Sequence, residues 1–157
     1  MPFILLFFES EENPFVFFPV LVEKMEIRTN DRWGSGYFRA TRDGGKRKHL
    51  GLDIKAKGGV ILLSPIGGTL KKPSIPYGED DRFSGTVIEG TGPWAGYEVT
   101  IFYLDAYPLL EVKAGEPIGI VQDLTAKFPG IHNHVHIEVR KDNKLLNPKK
   151  LFEPYFD

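Results

Sequence analysis

The sequence contains no cysteine, so the fold is not held by disulfides. It also lacks a long apolar run: Pro2 to Phe8 and Pro14 to Val22 both fall well short of the roughly 20 residues of a membrane span. Charge of one sign does not dominate, since 20 Lys and Arg face 21 Asp and Glu, and net charge implies no polyanionic partner such as nucleic acid. Repeats and heptads are absent as well, and 157 residues indicate one domain with one core.

The first 25 residues are the least typical part of the chain. They contain no Lys or Arg before Lys24, whereas a signal peptide begins with positive charge. We interpret residues 1–25 as an apolar N-terminal extension, either an extra strand or hairpin packed on the domain or a segment upstream of Met25. A weak export signal is the less favoured alternative. Residues 26–157 are predicted to form the domain itself.

The rest of the sequence has the pattern of an all-β protein. Twelve prolines and seventeen glycines separate short β-branched and aromatic runs, and no segment has a sustained helical period. The predicted strands include Val60 to Leu63, Thr86 to Glu89, Glu98 to Leu104 and Ile118 to Val121. The predicted loops are Ser74 to Ser84 and Gly90 to Gly96, which carry Tyr77 and Trp94 as candidates for stacking on a ligand.

All four histidines occur in two short clusters, H-L-G-L-D from His49 to Asp53 and H-N-H-V-H from His132 to His136. Imidazole nitrogens with one carboxylate are a ligand set that suits zinc, and three protein ligands leave a fourth position open for water. The two clusters therefore predict one zinc site with catalytic chemistry. His132 taken alone is better explained as a hydrogen-bonded structural residue.

The second cluster alternates in the manner of a half-buried strand. His134, His136 and Glu138 share one face, and Val135 and Ile137 belong to the other. Side chains on one face stand roughly 6 to 7 Å apart, so one histidine can bind the metal while the other handles protons.

The first cluster requires a bend, because His49 and Asp53 would lie roughly 13 Å apart on a straight strand. Gly51 is the expected source of the flexibility, together with the Asp43-Gly44-Gly45 run just before. The basic stretch from Arg42 to His49 leads into the site. Its two interpretations are a solvated loop or a grip on a carboxylate-bearing substrate.

Together these motifs resemble the lysostaphin-type zinc endopeptidases, which cut peptide cross-bridges of bacterial cell walls. The resemblance spans roughly Glu26 to Phe152 and includes V-I-L-L-S-P-I-G-G-T-L from Val60 and V-K-A-G-E-P-I-G-I-V from Val112. Within this superfamily, E-I-R-T-N-D-R-W-G-S-G-Y-F from Glu26 and F-P-G-I-H-N-H-V-H-I-E from Phe128 look like the leukocyte-derived chemotaxin branch. The resemblance implies a compact antiparallel sheet folded as a sandwich-like barrel, and an extracellular or periplasmic location.

By this resemblance, His49, Asp53 and His136 are the zinc ligands and His134 is the general base. A further histidine that is usual in the family should stand near Tyr103, and here it is tyrosine. A tyrosine hydroxyl can donate a hydrogen bond to an oxyanion, but with a pKa of about 10 it is no base near neutral pH. His132 is a less favoured substitute for the missing histidine.

Two functions follow from the resemblance. The first is a zinc metallo-endopeptidase that acts on short peptide bridges of bacterial peptidoglycan. The second is a catalytically weak or inactive zinc-stabilised domain of chemotaxin type that binds a receptor or glycan. The presence of His134, which a purely structural zinc ion does not need, favours the enzyme.

Overall fold

Twelve short β-strands and one α-helix make up the regular structure of this protein, seen in a computed structural model that describes residues 18–71, 76 and 82–156. The strands are β1 (Thr41–Arg42), β2 (Arg47–Lys48), β3 (Leu52–Lys55), β4 (Ile61–Leu63), β5 (Gly68–Leu70), β6 (Gly85–Gly90), β7 (Tyr97–Phe102), β8 (Leu104–Ala106), β9 (Glu111–Val112), β10 (Pro117–Val121), β11 (His134–Lys141) and β12 (Lys144–Leu146). The helix α1 (Pro148–Phe152) follows the last strand. All pairings between these strands are antiparallel, which confirms the predicted all-β fold.

Strand β11 organises the main sheet. One edge of β11 pairs with β7, and β6, β5 and β9 follow in that order. The other edge pairs first with β3 and then with β12, so β3 lies beside the histidine end of β11. This register brings the two histidine clusters of the sequence together on adjacent strands.

A second sheet has the order β4-β10-β8, and β1 and β2 form a separate hairpin. The inward side chains of both large sheets join one core, for example Leu62 and Ile118 from the smaller sheet with Ile101 and Ile137 from the larger. The described strands do not close into a barrel, so the predicted sandwich-like barrel is an open arrangement of antiparallel sheets around a shared core.

The two faces predicted for β11 are present, but the strand is not half-buried at its histidine end, because His134 and His136 are buried as well. Val135, Ile137 and Val139 are fully buried in the core, and β11 carries the histidines in between. Burying such β-branched side chains contributes about 1.5 to 3 kcal/mol each, which fixes the strand in its register.

The core extends into the N-terminal stretch. Phe18, Leu21, Val22 and Met25 are buried, and the Phe18 ring contacts Tyr97 and Phe152 edge to face. Residues 18–25 therefore pack on the domain. The first apolar run and the rest of the proposed extension lie outside the described residues, and the boundary at residue 25 stays a prediction.

The predicted strands correspond to β4, β6, β10 and the β7–β8 region, with one difference. The run from Glu98 to Leu104 is split between β7 and β8 at Tyr103, whose φ of 71° lies in the left-handed region. A tyrosine is uncommon in this conformation, and the hydrogen bonds from the Tyr103 and Leu104 amides to the Ser84 carbonyl hold the chain there. Most of the predicted loop from Ser74 to Ser84, including Tyr77, lies outside the described residues.

Candidate metal centre

Strands β3 and β11 position two of the three predicted ligands directly. Asp53 of β3 and His136 of β11 are paired residues in the antiparallel register, and His134 is the next residue on the same face of β11. His49 precedes β3 and is fixed by its backbone, because the His49 amide donates to the Ala40 carbonyl and its own carbonyl accepts from Arg39.

Gly51 allows this arrangement by its small size. A Cβ at position 51 would lie 2.3 Å from the Ile137 carbonyl oxygen and 2.9 Å from the His136 ring. Gly51 does not have a positive φ, unlike Gly44 and Gly45, which form the turn between β1 and β2. Close approach of the chain to β11, and not the flexibility predicted from the sequence, is therefore the reason for a glycine at position 51.

The three predicted ligands converge on one point. His49 Nε2, Asp53 Oδ1 and His136 Nδ1 lie 3.0 to 3.2 Å from one another, and all three side chains are almost fully buried. Ligands about 2.0 to 2.1 Å from a tetrahedral zinc ion are separated by about 3.3 Å. The spacing and the chemistry of these donors therefore fit a zinc ion, which no other group of three His, Cys, Asp or Glu residues does within the described part of the chain.

The second nitrogen of each ligand histidine is held by an acceptor. His49 Nδ1 donates to the Tyr37 carbonyl oxygen at 2.9 Å, and His136 Nε2 donates to Glu138 Oε2 at 2.8 Å. These bonds leave the lone pairs of His49 Nε2 and His136 Nδ1 directed to the same point. Such outer partners orient metal-binding histidines and raise their basicity.

His134 lies beside the cluster without belonging to it. Its Nδ1 donates to the His132 carbonyl oxygen at 2.7 Å, which leaves the lone pair on Nε2. Nε2 lies 3.4 Å from Asp53 Oδ2, and the side chain is only 4% exposed. This geometry allows His134 to accept a proton next to the metal centre.

Arg28 is a contributor that the sequence analysis missed. This buried arginine donates from Nε and lies within 3.1 Å of Asp53 Oδ2 through Nη2, so it occupies the carboxylate oxygen that the ligand cluster does not use. Its Nη1 pairs with Asp31 Oδ2 at 2.7 Å, and the same oxygen accepts from the His132 amide. The Arg28–Asp31 pair thus ties Asp53, a candidate ligand, to the segment that leads into His134. An arginine 25 residues before its partner gives no periodic signal in the sequence.

The charges of the cluster shift its proton equilibria. Burial opposes ionisation of Asp53, but the charges of His134 and His136 and the hydrogen bonds from His136 and His49 hold its pKa well below the usual range. Burial also disfavours protonation of His136, yet hydrogen bonds and charges of Asp53 and Glu138 raise its pKa to about 9. Burial lowers the pKa of His134, against the raising effect of Asp53. The pKa values of these three neighbouring groups are therefore shifted in different directions: those of Asp53 and His134 are lowered, and that of His136 is raised.

A groove of about 530 Å³ passes over the cluster. Its lining includes the aromatic and aliphatic side chains Trp33, Phe102, Tyr103, Leu124, Phe128 and Ile131, and the β1–β2 hairpin with the residues after it contributes Arg42, Arg47, Lys48 and Leu50. The Tyr103 ring meets the His134 ring edge to face at 5.4 Å, so Tyr103 is next to the predicted base. The floor carries a candidate catalytic cluster, and the walls form a cleft in which a ligand can lie.

Two other sequence candidates lie elsewhere. His132 is 45% exposed, precedes β11 and is 3.9 Å from Asp31, and it is not among the groove-lining residues. Trp94 packs near Gly67 at the edge of the core and is also outside the groove lining. Trp33, which the sequence analysis did not select, lines the groove and donates from Nε1 to the Pro129 carbonyl.

None of the helices in the described residues has the length and hydrophobicity that crossing a bilayer requires. No family model matches the chain. The structure is similar to that of a zinc-containing peptidase from Vibrio cholerae, with a TM-score of 0.59 and 23% identity over 83% of this chain and 37% of that one. It is also similar to the antimicrobial peptidase lysostaphin from Staphylococcus simulans, with a TM-score of 0.57 and 16% identity over 81% and 51% of the two chains. The chain therefore spans only part of these peptidases, and the likeness shows a shared fold.

A closer sequence relative comes from mouse. Leukocyte cell-derived chemotaxin-2 of Mus musculus is 32% identical over 115 residues, which cover 72% of this chain and 72% of that protein. This chain has the lysostaphin-type fold and belongs to the leukocyte cell-derived chemotaxin-2 family.

Proposed function

We propose that this chain is a zinc-dependent endopeptidase that hydrolyses short glycine- or D-alanine-containing peptide bridges of bacterial cell wall. In this proposal His49, Asp53 and His136 hold zinc, His134 is the general base and Tyr103 donates to the oxyanion. The observation that carries the proposal is His134, a buried histidine with its Nε2 lone pair beside the ligand cluster. The shared fold with the zinc-containing peptidase and with lysostaphin supports it.

When bound, zinc supplies a Lewis acid that polarises the scissile carbonyl and lowers the pKa of water to about 7. His134 accepts the proton of the attacking water at Nε2 and returns it to the leaving amine. Its lowered pKa keeps the ring neutral and able to accept that proton near pH 7. The His132 carbonyl holds the ring through Nδ1, so the same nitrogen faces the reaction throughout.

The groove walls exclude water and orient the peptide. Phe102 stacks on the His136 ring with centroids 5.6 Å apart, and Tyr103 closes the cleft beside His134. Loss of one oxyanion donor typically costs about 10² to 10³ in rate. In this proposal Tyr103 supplies that donor in place of the usual histidine, so Tyr103→Phe should lower the rate by about this factor.

Cleavage of purified peptidoglycan and of pentaglycine by the zinc-loaded chain tests the proposal. We expect new amino termini, their loss on addition of a chelator, and a fall of at least about 100-fold in the variant His134→Ala. His132→Ala is the matched control, because this exposed histidine of the same segment does not line the groove. Equal cleavage by wild type and His134→Ala would contradict the assigned base, provided that both bind zinc.

A zinc-stabilised binding or signalling domain is the second candidate, favoured by Tyr103 and by membership of the chemotaxin family. It predicts equimolar zinc, a lower melting temperature after chelation, and no cleavage at any pH. The same cleavage assay, with the zinc content measured on the same samples, separates it from the enzyme.

A further inference from the structure

We propose that the groove selects peptides that carry a carboxylate, which binds to Arg42 and Lys48 beside the metal centre. This inference rests on the proposed function, because it specifies the chemical class of the peptide. Arg42 and Lys48 are neither proposed zinc ligands nor the proposed general base, so the inference concerns a part of the groove outside the metal cluster.

Cations outnumber carboxylates among the described residues that line the groove. Arg28, Arg42, Arg47 and Lys48 line it together with the carboxylates of Asp53 and Glu138. Arg28 is paired with Asp31 and Asp53, and Glu138 with His136 and Arg140, so the proposed contacts of the ligand are Arg42 and Lys48. A divalent metal ion would add further positive charge, so the described lining favours an anionic group in the ligand.

Arg42 is held in place by backbone. Its Nη2 donates to the Ser35 carbonyl at 2.6 Å and its Nη1 donates to the Thr41 carbonyl at 3.1 Å. A guanidinium has five N–H donors, so three remain without a partner among the described residues. An arginine that is anchored in this way binds a carboxylate with little loss of side-chain freedom.

The hairpin of β1 and β2 carries several cationic side chains close together. Arg42 and Arg47 are directly opposite in its register, and like charges at such positions destabilise a strand pair. Burial and the charges of Arg28 and Arg47 lower the pKa of Arg42, although Asp53 and Tyr103 oppose them. Arg42 therefore lies close to two other cations.

The apolar part of the lining indicates a peptide as the source of the carboxylate. Trp33 and Phe128 meet edge to face at 5.1 Å, and Leu124 and Ile131 also line the groove. A peptide with an acidic residue presents apolar atoms and one carboxylate within a single extended chain, which complements the apolar and the cationic residues of the lining. The carbonyl groups that a metal centre of this kind polarises are also those of a peptide.

The test uses the zinc-loaded full chain and four labelled probes. Two are C-terminally amidated pentaglycine peptides with Glu at the N-terminal or C-terminal end, and two amidated counterparts carry Gln at those positions, so that the Glu side chain supplies the only carboxylate. Fluorescence anisotropy should show that at least one Glu probe binds about five- to tenfold more tightly than its Gln counterpart. This preference should shrink at about 0.5 M salt, where charges are screened beyond a few ångströms.

Variants assign the preference to the two cations. Arg42→Gln and Lys48→Gln should each reduce it by at least about half, and Arg42→Lys should retain only part of it, because the charge stays but the anchored guanidinium donors are lost. Lys46→Gln is the matched control: Lys46 lies on the same hairpin and is exposed, but it does not line the groove. It should leave the preference unchanged.

Equal binding of Glu and Gln probes, no binding of any probe, or an equal effect of Lys46→Gln and Arg42→Gln would overturn the inference. So would tighter binding of a sulfated oligosaccharide than of any Glu probe. Cleavage of pentaglycine without a Glu preference would refute the inference and leave the proposed function intact. A Glu preference without cleavage would support the inference and contradict the proposed function.

Discussion

The two oxygens of Asp53 have different partners. Oδ1 faces His49 and His136, while Oδ2 faces Arg28 and His134. Arg28 and Asp53 are both nearly inaccessible to solvent, so each charge depends on the other for stabilisation. Arg28 thereby fixes which carboxylate oxygen is directed to the ligand cluster.

Arg28→Met should lower the free energy of unfolding of the metal-free chain by about 3 to 5 kcal/mol, because it removes the buried cation that Asp53 and Asp31 share. Zinc should reduce this loss, since it neutralises Asp53. Denaturant unfolding with and without zinc measures both quantities. Arg32→Met is the control and should stay within about 0.5 kcal/mol, since Arg32 is exposed. An equal effect of the two substitutions would refute this role of Arg28.

The sequence predicts individual site residues only where spacing carries the information. The H-x-x-x-D and H-V-H spacing predicts a metal site from the two clusters, and the resemblance to the lysostaphin-type enzymes implies the separate roles of His49, Asp53, His136 and His134. Arg28 could not be predicted, since it reaches Asp53 only through the long-range contact of its segment with β3. The pKa of about 9 for His136 likewise depends on Glu138 and Asp53 together, which only the folded pairing brings into contact.

At the scale of elements, the close approach of the segment before β3 to β11 assembles the site. His136 and Asp53 are opposite each other, and Gly51 permits contact with the Ile137 carbonyl. A substitution that moves the segment around Gly51 away from β11 should displace His49 and Asp53 relative to His136, even though it changes none of these three side chains.

Gly51→Ala should therefore destabilise the protein by about 1 to 3 kcal/mol and weaken zinc binding, because the added methyl group collides with backbone rather than with a flexible side chain. Competition with a zinc chelator measures the affinity. Gly58→Ala is the control, since its Cβ would meet the nearest atom at 3.1 Å, far less closely, and on the side chain of Asp123. Unchanged zinc affinity in Gly51→Ala would contradict this account of β3 and β11.

Strand positions were largely predictable, because alternation and Gly or Pro boundaries are local signals. The strands around Ile61, Ile88 and Ile118 were identified in this way. The break at Tyr103 was not, since the positive φ of this residue is imposed by hydrogen bonds to the Ser84 carbonyl from a distant part of the chain. Whether the sheets close also depends on how distant edges meet, which alternation does not encode.

At the scale of the whole molecule, the buried cluster links stability to pH. His136 has a pKa of about 9 in the folded metal-free chain and about 6.5 when unfolded. A raised folded pKa stabilises the protein below pH 6.5, and this contribution is lost as the pH rises to about 9.

The metal-free chain should therefore lose on the order of 2 to 3 kcal/mol of unfolding free energy between pH 6.5 and pH 9.5. The zinc-loaded chain should lose less, because zinc displaces the same proton from His136 Nδ1. Urea unfolding across this pH range, with and without a chelator, measures both trends. Metal-free stability that rises or stays level with pH would be inconsistent with the protonated His136–Asp53 pair.

The central claim is that His49, Asp53 and His136 bind one zinc ion together. Zinc K-edge X-ray absorption of the zinc-loaded chain tests it most directly. The account predicts one zinc per chain with two imidazole nitrogens and further oxygen ligands at about 2.0 to 2.2 Å, and loss of one imidazole from the spectrum or of the zinc itself in His49→Ala and in His136→Ala. A spectrum that both substitutions leave unchanged, or a folded chain that retains no zinc, would contradict it.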